Sequence, residues 1–261
     1  MNELHITLYQ HSILWGEAEA NRQQVEARMA ASGRSDIFVV PETFTTGFGN
    51  HMAALAEEPE GPTLQWARRM ASRHQTLFVG TWVVREGDNC FNRLHWVYPD
   101  GNSGHYDKAH TFRVSGEADQ ISRGHRRVTF EWRGWRIRPA VCYDLRFPTW
   151  LRNAPGGSNA GDMDYDLLLV CANWPASRRE AWSTLLRARA IENLCYTAGC
   201  NRTGVDDNGG LYSGDSTVVD CKGFPVAGAD SNQLVTAVLD LDRLHSFRER
   251  WPFYLDFDQD L

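Results

Sequence analysis

The first 85 residues alternate between two spacings of hydrophobic positions. Residues 4–8 read Leu-His-Ile-Thr-Leu, and this period of two is typical of a strand with one buried face. Residues 36–42 carry a continuous apolar run of the kind found in strands that are buried on both faces. The stretches 17–31 and 62–74 are rich in helix formers; the first ends at a Ser-Gly pair and the second begins at a proline. These spacings predict strands and helices in alternation.

The middle of the chain predicts more strands and one long loop. Strands are predicted at 76–84 and 91–98, and the second is closed by a Pro-Asp-Gly-Asn turn. Residues 105–126 have no regular period and many polar groups, so we expect a loop there, and loops of that length in a compact domain are usually functional. Two apolar stretches joined by an Arg-Gly turn then predict a hairpin that ends at Cys142.

The last part of the chain predicts a surface loop at 153–162, followed by further strands and helices. The predicted elements are a buried strand at 166–173, an amphipathic helix at 178–193, strands at 194–200, 214–220 and 233–240, and a helix at 241–249. The sequence has no internal repeat, low-complexity tract or linker-like boundary. We therefore expect one mixed α/β domain that spans residues 1–261.

Composition and charge limit the classes of protein to which the chain can belong. With 42% hydrophobic and 23% charged residues, the 261-residue chain has an ordinary globular composition and enough length for a substantial core. No apolar run approaches the roughly 18 residues of a membrane span, and the first residues lack the layout of a signal peptide, so a cytoplasmic location is expected. The net charge of −6 argues against a nucleic-acid binder, which normally has a basic face.

Six cysteines raise the question of metal sites and disulfides. None belongs to a Cys-x-x-Cys pair and none has the His spacing of a zinc site, so we expect no metal. A cytoplasmic chain of this size has little need of disulfides, and each thiol is expected to be free. The cysteines are at positions 90, 142, 171, 195, 200 and 221.

Three predicted strand ends carry residues suited to acid–base or nucleophilic chemistry, namely Glu42, Lys108 and Cys142. Singly, each has an ordinary explanation, as an exposed turn residue, a surface cation and an inert core thiol. Together they form one catalytic set, because a thiolate can attack a carbonyl, a carboxylate can move its proton and an ammonium can hold an oxyanion. A strand end that leads into a helical turn beside a cation is expected to lower the pKa of the thiol.

In combination, the segments around these residues resemble the nitrilase superfamily of carbon–nitrogen hydrolases, whose catalytic triad is Glu-Lys-Cys in that chain order. The resemblance covers residues 4–240, and the combination of motifs is specific although no single motif is. The segments that carry it are Pro41-Glu42 with Gly47-Phe48, Tyr106-Asp107-Lys108 with His110 and Phe112, Cys142-Tyr143-Asp144 with Arg146 and Phe147, Asn173-Trp174-Pro175, residues 187–193, and Gly214-Asp215-Ser216.

The resemblance implies a four-layer α-β-β-α sandwich and a thioester mechanism. Cys142 is then the nucleophile, Glu42 is the general base and later the acid, and Lys108 holds the oxyanion with the backbone N–H of Tyr143. Glu117 matches a second, supporting glutamate of the family, with a solvated loop carboxylate as its alternative. All of these groups belong to side chains or backbone, so the resemblance implies neither a cofactor nor a metal.

The resemblance also implies a homodimer, because family members usually pair through helices. Residues 250–255 of this chain bring aromatic side chains close to the C-terminus, where free ends are usually disordered. We expect this segment to dock on the partner subunit or, as the alternative, to fold onto its own domain.

The motif Cys-Tyr-Asp-x-Arg-Phe is similar to the omega-amidase branch, which hydrolyses the terminal amide of 2-oxo dicarboxylic acid monoamides. Such a small-molecule substrate needs a cation for its distal carboxylate, and Arg146 is the first candidate and Arg113 the second. Arg146 could instead pair with an acid such as Asp144. Phe112 and Trp174 are candidates for an apolar cavity wall, and each could also be core packing.

Other functions stay open at this point. An N-carbamoyl amino acid hydrolase shares the triad and the carboxylate recognition, and an aliphatic amidase is a second alternative. A catalytically silent binding protein on the same scaffold is a third. Such a protein would be free to lose a member of the triad, and all three members are present.

Overall fold

Two six-stranded sheets organise the chain in the computed structural model, which describes residues 2–156, 162–228 and 233–257. The first sheet contains β1 (Glu3–Tyr9), β2 (Ile37–Val39), β3 (Leu77–Glu86), β4 (Asn89–Val97), β5 (Ser103–Asp107) and β14 (Leu234–Asp240). The second contains β6 (Phe130–Trp132), β7 (Trp135–Val141), β8 (Leu167–Ala172), β9 (Tyr196–Asn201), β12 (Thr217–Val219) and β13 (Pro225–Gly228). A separate small hairpin is formed by β10 (Thr203–Val205) and β11 (Leu211–Ser213). The helices are α1 (Ala18–Ala31), α2 (Pro62–His74), α3 (Pro148–Leu151), α4 (Arg179–Glu192) and α5 (Leu241–Arg250).

Each sheet combines three parallel strands with antiparallel neighbours. The first sheet has the order β14-β1-β2-β3-β4-β5, in which β1, β2 and β3 are parallel. The second has the order β13-β12-β9-β8-β7-β6, in which β7, β8 and β9 are parallel. Parallel strands need crossover connections, and α1, α2 and α4 lie in three of them. Sites of open α/β sheets form at the carboxyl ends of such strands, so these ends are where chemistry is expected.

The two sheets pack face to face around one buried layer of side chains. Leu4, Ile6 and Leu8 of β1 belong to the same buried cluster as Leu167 and Leu169 of β8. The period of two in β1 therefore directs its leucines and isoleucine towards the second sheet, as the sequence pattern predicts.

Helices cover the outer faces of both sheets. Val25 and Trp66 pack with Phe78 on the first sheet, and Trp182 of α4 packs on the second. Helix α4 approaches β9 closely because Gly199 has no side chain; a Cβ atom there would lie 2.6 Å from the Trp182 ring. The arrangement confirms the predicted four-layer α-β-β-α sandwich. In the described part of the chain, no helix has the length and apolar character needed to cross a membrane.

The predicted loop at 105–126 is more ordered than its composition suggests. Its first three residues belong to β5, whose short length hides the period of two. The remainder contains two 3-10 turns, at Arg113–Ser115 and Glu117–Asp119. These turns fold the segment back over the carboxyl end of β5.

Short strands account for most other differences between the predicted and the observed elements. The sequence pattern misses β10, β11 and β13, because three or four residues are too few to establish a period. The predicted strand at 214–220 begins only with β12, since Gly214 and Asp215 have φ angles of 76° and 55° and cannot extend it. Of the predicted surface loop at 153–162, residues 157–161 lie outside the described residues.

Candidate active site

Glu42 lies just beyond the carboxyl end of β2, and its side chain is fully buried. Its Oε1 accepts hydrogen bonds from Lys108 Nζ and Asn92 Nδ2, both at 2.8 Å. Its Oε2 accepts one from the backbone N–H of Asn173, just past β8, at 2.8 Å. Both sheets therefore contribute donors that hold this carboxylate in a single orientation. Asn92 and Lys108 come from the first sheet and the residue that follows it, and Asn173 comes from the end of β8 in the second.

Lys108 follows β5 and is 1% exposed. Its Nζ donates to Glu42 Oε1 at 2.8 Å and to the two carboxylate oxygens of Glu117 at 3.0 and 2.9 Å. Burial by itself lowers the pKa of a lysine, but the charges of Glu117 and Glu42 outweigh it and raise the pKa of Lys108 above its ordinary value. The side chain is therefore a permanent cation between two carboxylates.

Glu117 opens the second 3-10 turn, and its side chain is also buried. Besides the two contacts with Lys108, it accepts hydrogen bonds from the backbone N–H of Phe112 at 2.6 Å and from Asn92 Nδ2 at 3.1 Å. Burial raises the pKa of Glu117; Lys108 opposes the rise and Glu42 adds to it, and the net pKa is raised. The alternative of a solvated loop carboxylate is wrong, because Glu117 is only 1% exposed.

Cys142 stands at the carboxyl end of β7, where a 3-10 turn of residues Cys142–Arg146 begins. Its φ angle is 44°, in the region that non-glycine residues rarely adopt, and such strain is typical of functional positions. It is half-buried, whereas the other five cysteines are buried. Asp144 fixes the turn by accepting hydrogen bonds from the backbone N–H of Val141 at 3.0 Å, from that of His110 at 2.9 Å and from Tyr106 Oη at 2.8 Å.

The protonation state of the thiol differs from the expectation. Burial and the negative charge of Glu42 raise the pKa of Cys142 well above its ordinary value, although Lys108 acts in the opposite direction. The expected lowering of the thiol pKa is wrong because burial disfavours the thiolate and the charge of Glu42 outweighs that of Lys108. A resting thiol of this kind needs a base to become a nucleophile, and the Glu42 carboxylate lies beside it.

Cys142 and Lys108 open onto a cavity of about 300 Å³, at the small end of the range for ligand sites. Phe112, Tyr143 and Trp174 line it, and Trp174 also packs in the core beneath α4, so it fills both of the roles considered from the sequence. The other lining residues are Phe48, Gly49, Asn50, Ser115, Arg146, Asn173, Pro175, Arg178, Asp206, Asn208 and Tyr212.

Arg146 reaches this cavity and lies over an aromatic ring. Its guanidinium carbon is 4.8 Å from the centroid of the Trp174 ring. The alternative pair with Asp144 is not formed, because the Asp144 oxygens are taken by Val141, His110 and Tyr106. Within the described ranges Arg146 forms no ion pair, so its charge is available to a ligand.

Arg113 lies elsewhere. It is exposed, in the first 3-10 turn, and lines a neighbouring groove of about 1030 Å³ rather than the cavity. Tyr143 lines both the cavity and the groove and lies between them. The structure therefore brings Arg146, but not Arg113, to the cavity of Cys142.

Sequence reasoning misses several residues of this site. Asn92 is a polar residue in the middle of β4, fully buried and bonded to both carboxylates. An amide within a predicted strand, here directly after Phe91, is the signal that could have identified it. Arg178 lies at the start of α4 and looks like an ordinary surface cation. Asp206 and Tyr212 belong to the hairpin β10–β11, which the sequence pattern does not predict.

The site offers little to a metal ion. In residues 2–156, 162–228 and 233–257, no group of three or more His, Cys, Asp or Glu side chains is arranged to hold one. The two carboxylates that face each other, Glu42 and Glu117, have Lys108 between them. The lysine ammonium occupies the position that a cation would need.

Comparison with known proteins gives matches over nearly the whole chain. The carbon–nitrogen hydrolase family model matches residues 5–249. A protein of Yersinia enterocolitica named omega-amidase YafV is 43% identical, with 99% of this chain and 98% of that protein covered. A 2-oxoglutaramate amidase of Bacillus subtilis is 31% identical, with 98% of each chain covered.

Solved structures agree with these sequence matches. A CN-hydrolase superfamily protein from Xanthomonas campestris, which carries an arsenic adduct in its active site, superposes with a TM-score of 0.96. It is 43% identical in sequence, and the match covers 100% of this chain and 99% of that one. Yeast Nit3, another nitrilase-superfamily structure, superposes with a TM-score of 0.85 at 22% identity, which extends the agreement of the fold.

Proposed function

We propose that this chain, which belongs to the carbon–nitrogen hydrolase family, is an omega-amidase that converts a 2-oxo dicarboxylic acid monoamide and water to the 2-oxo dicarboxylate and ammonia. It is a hydrolase of linear amides, and its substrate is a small-molecule amide. The substrates proposed are 2-oxoglutaramate and 2-oxosuccinamate, with 2-oxoglutarate and oxaloacetate as products. The observation that carries the proposal is one cavity that holds both the Cys142 thiol and an arginine without an ion pair.

Acylation uses the groups at the base of the cavity. Glu42 removes the thiol proton, and Cys142 Sγ attacks the amide carbon. The oxyanion is held by Lys108 Nζ and the backbone N–H of Tyr143. Lys108 has three N–H donors, and one is left for the oxyanion when the two oxygens of Glu117 share another. Collapse of the intermediate breaks the carbon–nitrogen bond, and Glu42 returns its proton to the departing ammonia.

Deacylation repeats these steps with water. Glu42, again a carboxylate, removes a proton from a water molecule, and the hydroxide attacks the thioester carbon. The second oxyanion is held by the same two donors, and Cys142 leaves with the proton from Glu42. Glu117 supports both half-reactions, because its contacts with Lys108 and Asn92 hold the Lys108 ammonium and the Glu42 base in position relative to each other.

Arg146 recognises the distal carboxylate in this proposal. A guanidinium presents paired N–H donors that match a carboxylate, and its cation–π contact with Trp174 places it at the cavity wall. Phe112 and Trp174 supply apolar surface for the short carbon chain. An N-carbamoyl amino acid hydrolase or a simple aliphatic amidase stays the alternative, to be separated by the assay below.

The proposal also includes the assembly and location expected from the sequence. A homodimer is supported by the exposed apolar side chains of Trp251, Phe253 and Leu255, which are 47%, 52% and 67% exposed. Residues 1–261 are proposed to form a single domain, supported by a buried layer to which both sheets contribute. A cytoplasmic location remains a prediction from the sequence.

The test is ammonia release from 2-oxoglutaramate, an N-carbamoyl amino acid and a simple nitrile, measured in parallel. We expect turnover of the oxo-amide alone. Arg146→Lys is expected to raise KM for that substrate by roughly tenfold or more, because a bidentate charged pair is lost. Arg113→Lys is the matched control and leaves KM unchanged. Activity on either other compound without turnover of the oxo-amide would refute the proposed substrate.

A further inference from the structure

A second arginine lines the same cavity. Arg178 precedes α4, and its guanidinium carbon lies 5.3 Å from the centroid of the Phe112 ring. Its backbone is anchored, because its N–H donates to Pro175 O at 3.0 Å and its carbonyl accepts from Trp174 Nε1 at 2.9 Å. Like Arg146, it forms no ion pair with any described residue. Two arginine side chains, each over an aromatic ring, therefore line the same cavity.

The acidic groups near the cavity already have partners. Lys108 is neutralised by Glu42 and Glu117, which lie behind the lining. Among the described residues that line the cavity, Asp206 is the only acid.

Three donors already occupy the Asp206 carboxylate. They are the backbone N–H groups of Asn208 at 2.9 Å and Gly210 at 2.7 Å and the Tyr212 hydroxyl at 3.0 Å. These donors, all from its own hairpin, orient the carboxylate, and neither Arg146 nor Arg178 pairs with it.

We propose that Arg178 selects a 2-oxo group over a 2-amino group beside the distal carboxylate, an inference that rests on the proposed function. A 2-oxo acid presents three oxygen acceptors on adjacent carbons, and two guanidinium groups can donate to all of them. Arg146 takes the carboxylate and Arg178 takes the oxo oxygen. A 2-amino acid places an ammonium beside the second guanidinium, which is unfavourable because like charges repel in a small, partly desolvated space.

Three substrates of equal chain length isolate this effect. They are 2-oxoglutaramate, L-glutamine and glutaramate, which carry an oxo group, an ammonium and two hydrogens at carbon 2, and all three keep the distal carboxylate and the scissile amide. The wild type is expected to have the highest kcat/KM for 2-oxoglutaramate and the lowest for glutamine. Arg178→Gln is expected to reduce the ratio of kcat/KM for 2-oxoglutaramate to that for glutamine by about tenfold or more. The value for glutaramate changes less than that for 2-oxoglutaramate.

Two further variants serve as controls. Arg178→Lys keeps the charge and is expected to retain most of the discrimination. Arg179→Gln changes the next residue, which is exposed and paired with Asp215 at 2.7 Å outside the cavity, and leaves all three substrates unaffected.

The outcomes separate this inference from the proposed function. A wild type that hydrolyses none of the three substrates refutes the proposed function and removes the basis of this inference. A wild type that hydrolyses 2-oxoglutaramate, with the same substrate ratios in Arg178→Gln, overturns the role of Arg178 alone. Equal losses on 2-oxoglutaramate and glutaramate also overturn it, because Arg178 would then bind only the carboxylate.

Discussion

Proton transfer between the Cys142 thiol and the Glu42 carboxylate depends on the charges that surround them. Burial and the neighbouring Glu42 raise the pKa of Cys142, which favours the protonated thiol, and Lys108 only partly opposes them. A neutral resting thiol is less open to oxidation than a thiolate.

Replacement of Cys142 tests its proposed role as the nucleophile directly. Cys142→Ala is expected to abolish turnover, with residual activity below about a thousandth of the wild type. Circular dichroism and thermal unfolding check that the fold is intact. Cys221→Ala, a buried cysteine outside the cavity, is the control and retains activity. Turnover in Cys142→Ala above that level would contradict the nucleophile assignment.

Asn92 is the residue that joins the two carboxylates through one amide. Asn92→Leu removes both N–H bonds, and kcat is expected to fall about 10- to 100-fold while KM changes little. Asn89→Leu, at the exposed first residue of the same strand, is the matched control. A normal kcat in Asn92→Leu would show that Lys108 and the backbone N–H groups position the carboxylates without the Asn92 amide.

The pH profile follows from the directions of the pKa shifts. Because the pKa of Glu117 is raised, its ion pair with Lys108 is lost on acidification at a pH above the ordinary glutamate value of about 4.3. The acid limb of kcat/KM is expected there, and Asn92→Leu moves it to higher pH, since the carboxylates lose donors. The raised pKa of Lys108 places its deprotonation above the ordinary lysine value of about 10.4. A loss of activity from lysine deprotonation near pH 8 would contradict this electrostatic description.

At the scale of the elements, a buried ion pair fastens α5 to the second sheet. Arg248 of α5 is fully buried and donates to Asp166 Oδ1 at 2.7 Å, to Tyr165 O at 2.9 Å and to Leu194 O at 2.8 Å. Burial by itself raises the pKa of Asp166, but the neighbouring His245 and Arg248 outweigh it and lower the pKa to about 2. Asp166 directly precedes β8, whose other end reaches the active site.

Asp166→Asn is therefore expected to lower the free energy of unfolding by about 3–5 kcal/mol, because it leaves Arg248 buried without its counter-charge. Since the folded pKa is depressed, the contribution of Asp166 is present above its unfolded pKa of about 3.9 and is lost as the pH falls towards 2. Urea unfolding at pH 7 and between pH 4 and 2 measures both effects. Asp242→Asn, on the exposed side of α5, is the control. Equal stability of Asp166→Asn and wild type at pH 7 would contradict the role of the pair.

At the scale of the whole molecule, the C-terminal segment folds onto its own domain with one side chain and leaves other apolar side chains exposed. Tyr254 is 7% exposed and packs with Met163 and Leu194 of its own chain. Trp251 and Phe253 point outwards and stack on each other with ring centroids 6.1 Å apart. The segment is thus folded onto its own chain and still presents apolar surface to a partner.

The predicted homodimer is expected to use this surface. Phe253→Glu places a charge on it and is expected to shift the protein from dimer to monomer in sedimentation velocity experiments. Val205→Glu, which adds the same charge to an apolar residue of the hairpin β10–β11, is the control and leaves the dimer intact. A monomeric wild type would refute the homodimer, and a dimeric Phe253→Glu would place the interface elsewhere.

Local pattern was sufficient for the order of the longer strands and helices and for the choice of Glu42, Lys108 and Cys142. Periodicity is set by neighbouring residues, and the motifs around these three side chains are short, so both are visible in the sequence itself. The short strands β10, β11 and β13 were missed, because three or four residues without a long apolar run carry too few positions to establish a period.

Only the tertiary structure decided how the site is charged and shaped. Glu117 became a buried partner of Lys108 because two 3-10 turns fold the long loop back over β5. Arg146, and not Arg113, reached the cavity because the turn after β7 directs it there. The thiol pKa is raised, contrary to the local motif, because the packed sheets bury Cys142 and because Glu42 reaches it from a strand of the other sheet, a hundred positions earlier in the chain. Charge interactions and burial depend on distances in space, and those distances exist only once the two sheets have packed.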